Sequence, residues 1–304
     1  MTPLSSFAVT SIARHPPAVI LRTESSVTES IHQLAEKSVR HAIVSNDGKR
    51  LDGIISAKDL LNFLGGGNKF KVDGLDPSTD LQGVLSSSIA PVINPKPIVG
   101  STAASLPDTM ALMAKHDIGM IPLLDPGGCI WGSLSERHLF KLFEANQMFV
   151  RVFEIMSKPI ITLDVKSTLL DAMKTMIKND IRRILIMRES DLWGIVTVKD
   201  IVRFLDSQYI RDTIKMGLCN YLLNINVSKL ATTNPKTCDP DEDLCDAVKK
   251  MNSFNVGSLV VMSGGRPIGM LTERDFLLKL PKLRGVEFIT DVSKNRVLVG
   301  RIHF

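Results

Sequence analysis

Residues 269–276 read GMLTERDF, and this stretch decides the fold because it occurs in four versions along the chain. The other versions are GIISAKDL at 53–60, GSLSERHL at 132–139 and GIVTVKDI at 194–201. Each has a glycine, two mostly apolar residues, a Ser or Thr, any residue, a Lys or Arg and then an Asp, which the second version replaces with His138. A pattern that recurs in this way indicates repeated supersecondary units that pack on one another.

The sequence around each version predicts the same order of elements. Apolar residues at helical spacing come first, and a short β-rich run, a turn and the glycine follow. These helical stripes include Val27, Ile31, Leu34 and Ala35; Leu169, Ala172, Met173 and Met176; and Leu244, Ala247, Val248 and Met251. A second apolar helix follows the motif, so each unit is predicted to be strand, helix, strand, strand, helix in an α/β (α+β) fold. Residues 65–87 are predicted to form a linker or loop, and 206–223 a helical connector.

Composition is typical of a globular protein. The chain has 304 residues, of which 44% are hydrophobic and 23% charged, and this length allows about two domains. No apolar run approaches the ~20 residues that span a bilayer, and residues 1–17 lack the layout of a signal peptide, so a cytoplasmic protein without membrane contact is expected. The net charge of +5 is spread along the chain, which argues against a nucleic-acid partner.

The motif has two physical interpretations. Its Ser or Thr lies at a helix N-cap and is followed three residues later by an acid, as in Thr272-x-x-Asp275, which is nearly a capping box and would serve helix stability alone. Its basic residue lies in the first turn, where the helix dipole disfavours a cation by roughly 0.3–1 kcal/mol. A bound phosphate would remove that conflict, and a neighbouring carboxylate can accept both hydroxyls of a ribose. The second interpretation therefore predicts a nucleotide site.

The four-fold pattern resembles the cystathionine-β-synthase (CBS) domain family over nearly the whole chain. In that family two consecutive CBS domains associate through their sheets as a Bateman module, and four domains form two modules, as in the gamma subunit of AMP-activated protein kinase. The resemblance implies a first module at 1–150, with repeats at about 8–65 and 86–146, and a second at 151–284, with repeats at about 151–206 and 226–281. Residues 285–304 are expected to add a C-terminal strand extension, a hairpin.

The resemblance also implies a ligand and its contacts. Similar modules bind an adenine nucleotide (AMP, ADP or ATP), with the motif acid on the ribose, the Ser or Thr and basic residues on phosphate, and first-strand residues beside the base. The nucleotide-binding residues expected on this basis are Ser56, Lys58, Asp59, Ser135, Arg137, Ser157, Thr162, Arg182, Arg183, Thr197, Lys199, Asp200, Thr232, Thr237, Thr272, Arg274 and Asp275. A neutral imidazole cannot accept two hydroxyl bonds as a carboxylate does, so the His138 site is expected to be weak, empty or altered.

The predicted function is a non-catalytic regulatory module that signals energy state to a partner protein, or associates with itself. No HExxH, GxSxG or P-loop pattern is present, and four scattered cysteines without CxxC predict neither a metal site nor a disulfide framework. Enzymatic activity and a catalytic cofactor are therefore not expected. Two alternatives stay open: a scaffold or nucleic-acid-associated protein whose motifs are only helix caps, and a sensor of another adenosyl ligand such as S-adenosylmethionine.

Overall fold

A computed structural model of the chain describes residues 8–65, 67, 81–140, 143, 148–216 and 222–285. Within these residues the predicted order of strand, helix, strand, strand, helix occurs four times, which confirms the α/β fold class. The predicted C-terminal hairpin lies outside the described residues, apart from Gly285, and so does the linker between 68 and 80.

The first two repeats have closely similar elements. Repeat 1 consists of β1 (Ile20–Leu21), α1 (Val27–Glu36), β2 (His41–Val44), β3 (Gly53–Ser56) and α2 (Ala57–Leu64). A helix, α3 (Leu81–Ser86), follows where a loop was predicted, because Leu81 and Leu85 are buried on one side of it. Repeat 2 consists of β4 (Gly100–Ser101), α4 (Leu106–Lys115), β5 (Met120–Leu124), β6 (Ile130–Ser135) and α5 (Glu136–Phe140).

The second half of the chain repeats this plan. A short helix, α6 (Val152–Ile155), leads into repeat 3, which consists of β7 (Thr162–Asp164), α7 (Leu169–Lys178), β8 (Arg183–Arg188), β9 (Asp191–Thr197) and α8 (Val198–Leu205). The predicted connector is helical at α9 (Gln208–Lys215). A short strand, β10 (Thr232–Thr233), pairs with β9 in the sheet of repeat 3 and precedes repeat 4. Repeat 4 consists of β11 (Thr237–Cys238), α10 (Leu244–Ser253), β12 (Ser258–Ser263), β13 (Arg266–Thr272), α11 (Glu273–Leu278) and α12 (Leu280–Arg284).

Each repeat builds its own small sheet with one topology. The first strand runs parallel to the second, and the second pairs with the third in antiparallel fashion. The helix between the first and second strands begins at a residue whose side chain caps it: Ser26, Ser105, Thr168 and Asp243 accept hydrogen bonds from backbone N–H groups of the first turn. The third strand then ends at the motif Ser or Thr, so the motif lies where the sheet passes into the last helix of the repeat.

The chain divides into two compact units, each with its own hydrophobic core. One unit comprises the described parts of 1–16, 98–160 and 235–304, and the other comprises 17–97 and 161–234. The first unit therefore holds repeats 2 and 4, with α5 packed on α11, and the second holds repeats 1 and 3, with α1 packed on α8 and α2 on α7. The predicted modules, 1–150 and 151–284, do not coincide with these units. The reason is that helices of non-consecutive repeats share each core, a pairing that the repeated pattern itself does not specify.

The segment before each repeat, here called its lead-in segment, pairs with the third strand of another repeat. These contacts are Arg14 with Ser133, Asn94 with Ile54, Ser157 with Met270, and Thr232 with Ile195. The lead-in segment of repeat 1 thus lies on repeat 2 and that of repeat 2 on repeat 1, and repeats 3 and 4 are related in the same way. Every such contact lies inside one compact unit.

Candidate functional site

Each candidate site combines a motif with the lead-in residue that crosses it. The four combinations are Ser56 and Asp59 with Asn94, Ser135 and His138 with Arg14, Thr197 and Asp200 with Thr232, and Thr272 and Asp275 with Ser157. The motif glycine is what allows the crossing. A Cβ at Gly194 would lie 2.8 Å from the carbonyl oxygen of Thr232, and one at Gly53 would lie 2.6 Å from that of Asn94. Glycine is therefore needed at this position because another backbone approaches closely.

The motif acids form the capping boxes that the first interpretation predicted. In repeat 3 the Oδ2 atom of Asp200 accepts a hydrogen bond from the backbone N–H of Thr197 at 2.9 Å and another from its hydroxyl at 2.7 Å. The Asp59 carboxylate makes the same two bonds to Ser56, at 2.9 and 2.6 Å. One carboxylate oxygen is thus engaged by the helix start.

Repeat 4 adds contacts to the other carboxylate oxygen. The Oδ2 atom of Asp275 accepts from the N–H and hydroxyl of Thr272, at 2.8 and 2.7 Å. Its Oδ1 atom accepts from the Ser157 hydroxyl at 2.7 Å and forms an ion pair with the Lys279 ammonium at 2.7 Å. Lys279 also donates to the Ser157 hydroxyl at 2.8 Å. Asp275 is only 3% exposed.

Repeat 2 departs from this arrangement as its sequence does. The Nδ1 atom of His138 lies 3.3 Å from the backbone N–H of Ser135 and accepts its hydrogen bond, where a carboxylate oxygen does so in the other repeats. The crossing residue here is Arg14, whose side chain is exposed. The imidazole therefore replaces the motif acid in capping the helix.

The motif cations have protein partners, which answers the conflict with the helix dipole. Arg137 donates to the buried carboxylate of Glu273 at 2.9 Å and to Asn255 at 2.6 Å. Arg274 donates to the buried carboxylate of Glu136 at 3.2 Å, and its other terminal nitrogen lies 2.5 Å from an Asp117 carboxylate oxygen. Each arginine thus joins repeat 2 to repeat 4 within one unit.

The motif cation of the first repeat also has a partner in another repeat. Lys58 forms an ion pair with Asp180 of repeat 3. Asp117, Asp180 and Asn255 are equivalent residues, two positions past the end of the first helix of their repeats, and all have φ of 53°, 54° and 52° respectively. Asp and Asn tolerate this left-handed conformation better than most residues. Acids and carbonyl groups of a neighbouring repeat thus supply negative partners to Lys58, Arg137 and Arg274, and phosphate binding by these residues stays a prediction.

The remaining predicted residues lie at strand starts and helix starts. Thr162 and Thr237 are exposed at the beginning of β7 and β11, and Thr232 is exposed in β10. Arg182 and Arg183 precede and begin β8, with Arg183 in register with Thr197. Lys199 is half-buried in the first turn of α8. The structure thus brings Thr232 next to the repeat 3 motif, and Arg183 lies on the strand beside it.

Three contributors to these sites were not predicted. Asn94 and Arg14 occupy the positions of Ser157 and Thr232, and a proline two or three residues further on is the sequence signal that the four lead-in residues share. Lys279 lies four residues after Asp275, at the C-cap of the same helix, a spacing at which opposite charges meet. That spacing is visible in the sequence and identifies the pair.

No helix in the part of the chain that the structure describes has the length and apolar character needed to cross a bilayer. No group of three or more His, Cys, Asp or Glu side chains among these described residues is arranged to hold a metal ion.

Comparison with known proteins identifies the family. The sequence model of the CBS domain matches residues 9–66, 152–207 and 227–282, more than half of the chain. The chain therefore belongs to the CBS domain family, as its repeats indicated. The second repeat, which carries His138, lies outside the matched ranges.

Similar proteins share the layout of the whole chain. A 33.4 kDa protein in a ribosomal RNA operon of Thermofilum pendens is 28% identical over 293 residues, 96% of this chain and 98% of that protein. Protein MJ1225 of Methanocaldococcus jannaschii is 20% identical over 275 residues, 88% of this chain and 97% of that protein. Its crystal structure covers 89% of this chain and 99% of its own, with a TM-score of 0.81. A Pyrococcus horikoshii structure at 19% identity covers 89% of this chain and 98% of its own, with a TM-score of 0.56. At these identities, the structural likeness shows a common fold.

Proposed function

We propose that the chain is a non-catalytic regulatory protein that binds an adenine nucleotide (AMP, ADP or ATP) at its motifs and signals energy state to a partner protein. The functional modules are 1–150 and 151–284, the pairs of repeats that exchange lead-in segments. Each site then joins the motif of one repeat to the lead-in segment of its module partner. A bound nucleotide stabilises this crossing, and a partner protein responds because the ligand binds one arrangement more tightly than another.

The single observation that carries the proposal is the environment of Asp200. Its Oδ2 atom is used by the capping box, whereas its Oδ1 atom accepts no hydrogen bond from any residue that the structure describes. The residue is half-buried beside the lead-in segment that contains Thr232. A carboxylate accepts about four hydrogen bonds, so about two remain for the two adjacent hydroxyls of a ribose.

Thermal unfolding with a panel of AMP, ADP, ATP and S-adenosylmethionine tests the proposal. A ligand at about 100 times its dissociation constant stabilises a protein by about 2.7 kcal/mol. We expect AMP, ADP or ATP to raise the melting temperature. A higher melting temperature with S-adenosylmethionine alone would favour a sensor of that ligand over a sensor of AMP, ADP or ATP. An unchanged melting temperature with all four compounds would favour the scaffold alternative.

Asp200→Asn identifies the residue responsible, and Asp171→Asn is its matched control. Asp171 forms the same capping box with Thr168 at the start of α7, with contacts of 2.9 and 2.8 Å. Both substitutions keep a side-chain oxygen that can accept a hydrogen bond from the helix start, so they alter the two capping boxes in the same way. We expect only Asp200→Asn to weaken nucleotide binding, by tenfold or more. Equal binding by both variants would return Asp200 to a purely capping role.

A further inference from the structure

Repeats 3 and 4 both have an aspartate at the motif position, Asp200 and Asp275, but within the described residues only Asp275 of these two forms an ion pair with a lysine, Lys279. Counting hydrogen bonds distinguishes the two carboxylates. Asp275 accepts from Thr272 twice, from Ser157 and from Lys279, which makes four bonds. Four is about the capacity of a carboxylate, so none of its lone pairs remains for a ribose hydroxyl.

The position equivalent to Lys279 is apolar in repeat 3. Phe204 lies four residues after Asp200, as Lys279 lies four residues after Asp275. Its ring packs against Tyr209, with centroids 6.2 Å apart, and joins the edge of a hydrophobic core. Of the residues that the structure describes, none makes an ion pair with Asp200.

We propose that Lys279 acts as a built-in cation that closes the repeat 4 site, so that repeat 3 is the open nucleotide site of the second module. This inference rests on the function proposed above and assigns the ligand to one of two similar motifs. Lys279 bridges the motif acid and the crossing Ser157, the same two chain segments that a nucleotide would join. A nucleotide can enter repeat 4 only by displacing charge-assisted hydrogen bonds, which are among the stronger ones in proteins.

Lys279 is also placed so that it can be displaced. Its side chain is 40% exposed, whereas the Asp275 side chain is 4% exposed. The lysine therefore covers the carboxylate from the solvent side, and removing its charge frees one of the four acceptor positions of Asp275 without opening the core. Ser157 then still donates to Asp275, as a hydroxyl beside a ribose could.

Titration calorimetry of the full chain with AMP tests the inference. We expect Lys279→Met to bind one more AMP per chain than the unmodified protein, and Asp275→Asn in the Lys279→Met background to remove that additional site. In the unmodified chain, Asp200→Asn weakens AMP binding about tenfold or more (about 1.4 kcal/mol). Lys249→Met is the matched control, since Lys249 forms a 2.9 Å ion pair with Asp246 on an exposed helix face, and it leaves AMP binding as it was.

The outcomes separate this inference from the proposed function. An unchanged number of sites in Lys279→Met overturns the closed site while leaving nucleotide binding in place. Absence of AMP binding in the unmodified chain together with binding by Lys279→Met supports the closed repeat 4 site and overturns the assignment of the open site to repeat 3. Absence of AMP binding in every variant, including Lys279→Met, overturns both.

Discussion

Gly194 shows at the scale of one residue why every motif begins with glycine. The backbone of the repeat 4 lead-in segment passes over it, with the Thr232 carbonyl oxygen 2.8 Å from where a Cβ would lie. Gly269 has the same role under Met156, whose Sδ atom would lie 2.5 Å from a Cβ. The glycine thus creates the space in which two chain segments meet beside the motif acid.

Gly194→Ala is therefore expected to weaken both folding and nucleotide binding. The added methyl group pushes on a backbone carbonyl that cannot rotate away, and overpacking of this kind costs typically 1–3 kcal/mol. Urea unfolding measures the loss of free energy of unfolding. An AMP titration measures the loss of affinity that follows when the segment containing Thr232 is displaced.

Gly127→Ala serves as the control for that experiment. A Cβ there would meet only the Asp125 carboxylate, at 3.3 Å, in a surface turn. We expect a change within about 0.5 kcal/mol, as for most surface substitutions. Equal stabilities of the two variants would show that the crossing segment is not held where the structure has it.

The motif arginines of repeats 2 and 4 join the last helices of these two repeats. Arg137 on α5 and Arg274 on α11 each reach a buried glutamate at the start of the other helix, Glu273 and Glu136. A cation that is unfavourable for its own helix dipole is thus stabilised by the carboxylate of the neighbouring helix. These two ion pairs favour the packing of repeat 2 on repeat 4.

Glu273→Ala should destabilise the protein by about 2–3 kcal/mol. Removing one partner of a fully buried pair costs about 3–5 kcal/mol, and the effect here is smaller because Arg137 keeps 28% of its side-chain exposure. Denaturant unfolding gives the value, and a double-mutant cycle with Arg137→Ala isolates the coupling.

Asp241→Ala is a control with nearly the same ion-pair length, 3.0 Å against 2.9 Å for Arg137 and Glu273. Arg151 and Asp241 lie 3.0 Å apart, but their side chains are 61% and 68% exposed. An exposed pair contributes about 0–1 kcal/mol. If Glu273→Ala costs no more than Asp241→Ala, the arginine does not hold the two helices together.

Local elements were predictable because their signals are local. Leu244, Ala247, Val248 and Met251 recur at helical spacing, and all four are fully buried on one face of α10. The strand Met120–Leu124 was predicted from MIPLL with the bounds that the structure has. The capping boxes were equally visible, since their partners are three residues apart.

Long-range partners were not predictable in the same way. The basic position of the motif, Arg137 in repeat 2, recurs in the sequence, but its partner Glu273 lies 136 residues away. The pattern therefore suggested a bound phosphate and did not indicate a protein carboxylate. Likewise, nothing near Ile54 in the sequence indicates that Asn94 will cross it. The candidate acids were found because the motif contains them, and their crossing residues require the folded chain.

At the scale of the whole molecule, chain order and core membership differ. Each hydrophobic core takes residues from both halves of the chain: one contains Leu34 and Met173, and the other contains Met113 and Met251. Neither half, cut near residue 148, therefore holds a complete core. What each half does contain is one pair of repeats that exchange lead-in segments: repeats 1 and 2 in the first half, and repeats 3 and 4 in the second.

Separate expression of 1–147 and 148–304 tests this arrangement. We expect each half to leave apolar helix faces exposed and the two to combine in a 1:1 complex when mixed, because α1 and α2 pack on α8 and α7. Size-exclusion chromatography with light scattering measures the complex. Two stable monomeric fragments that form no complex when mixed would contradict the shared cores.

A crystal structure of the full chain grown with saturating AMP tests the central claim most directly. The account predicts the ribose hydroxyls of AMP within hydrogen-bonding distance, roughly 2.5–3.0 Å, of the Asp200 carboxylate, with Lys279 still on Asp275. AMP bound at Asp275 with Lys279 displaced, or the Asp200 carboxylate without a nucleotide at saturation, would contradict it.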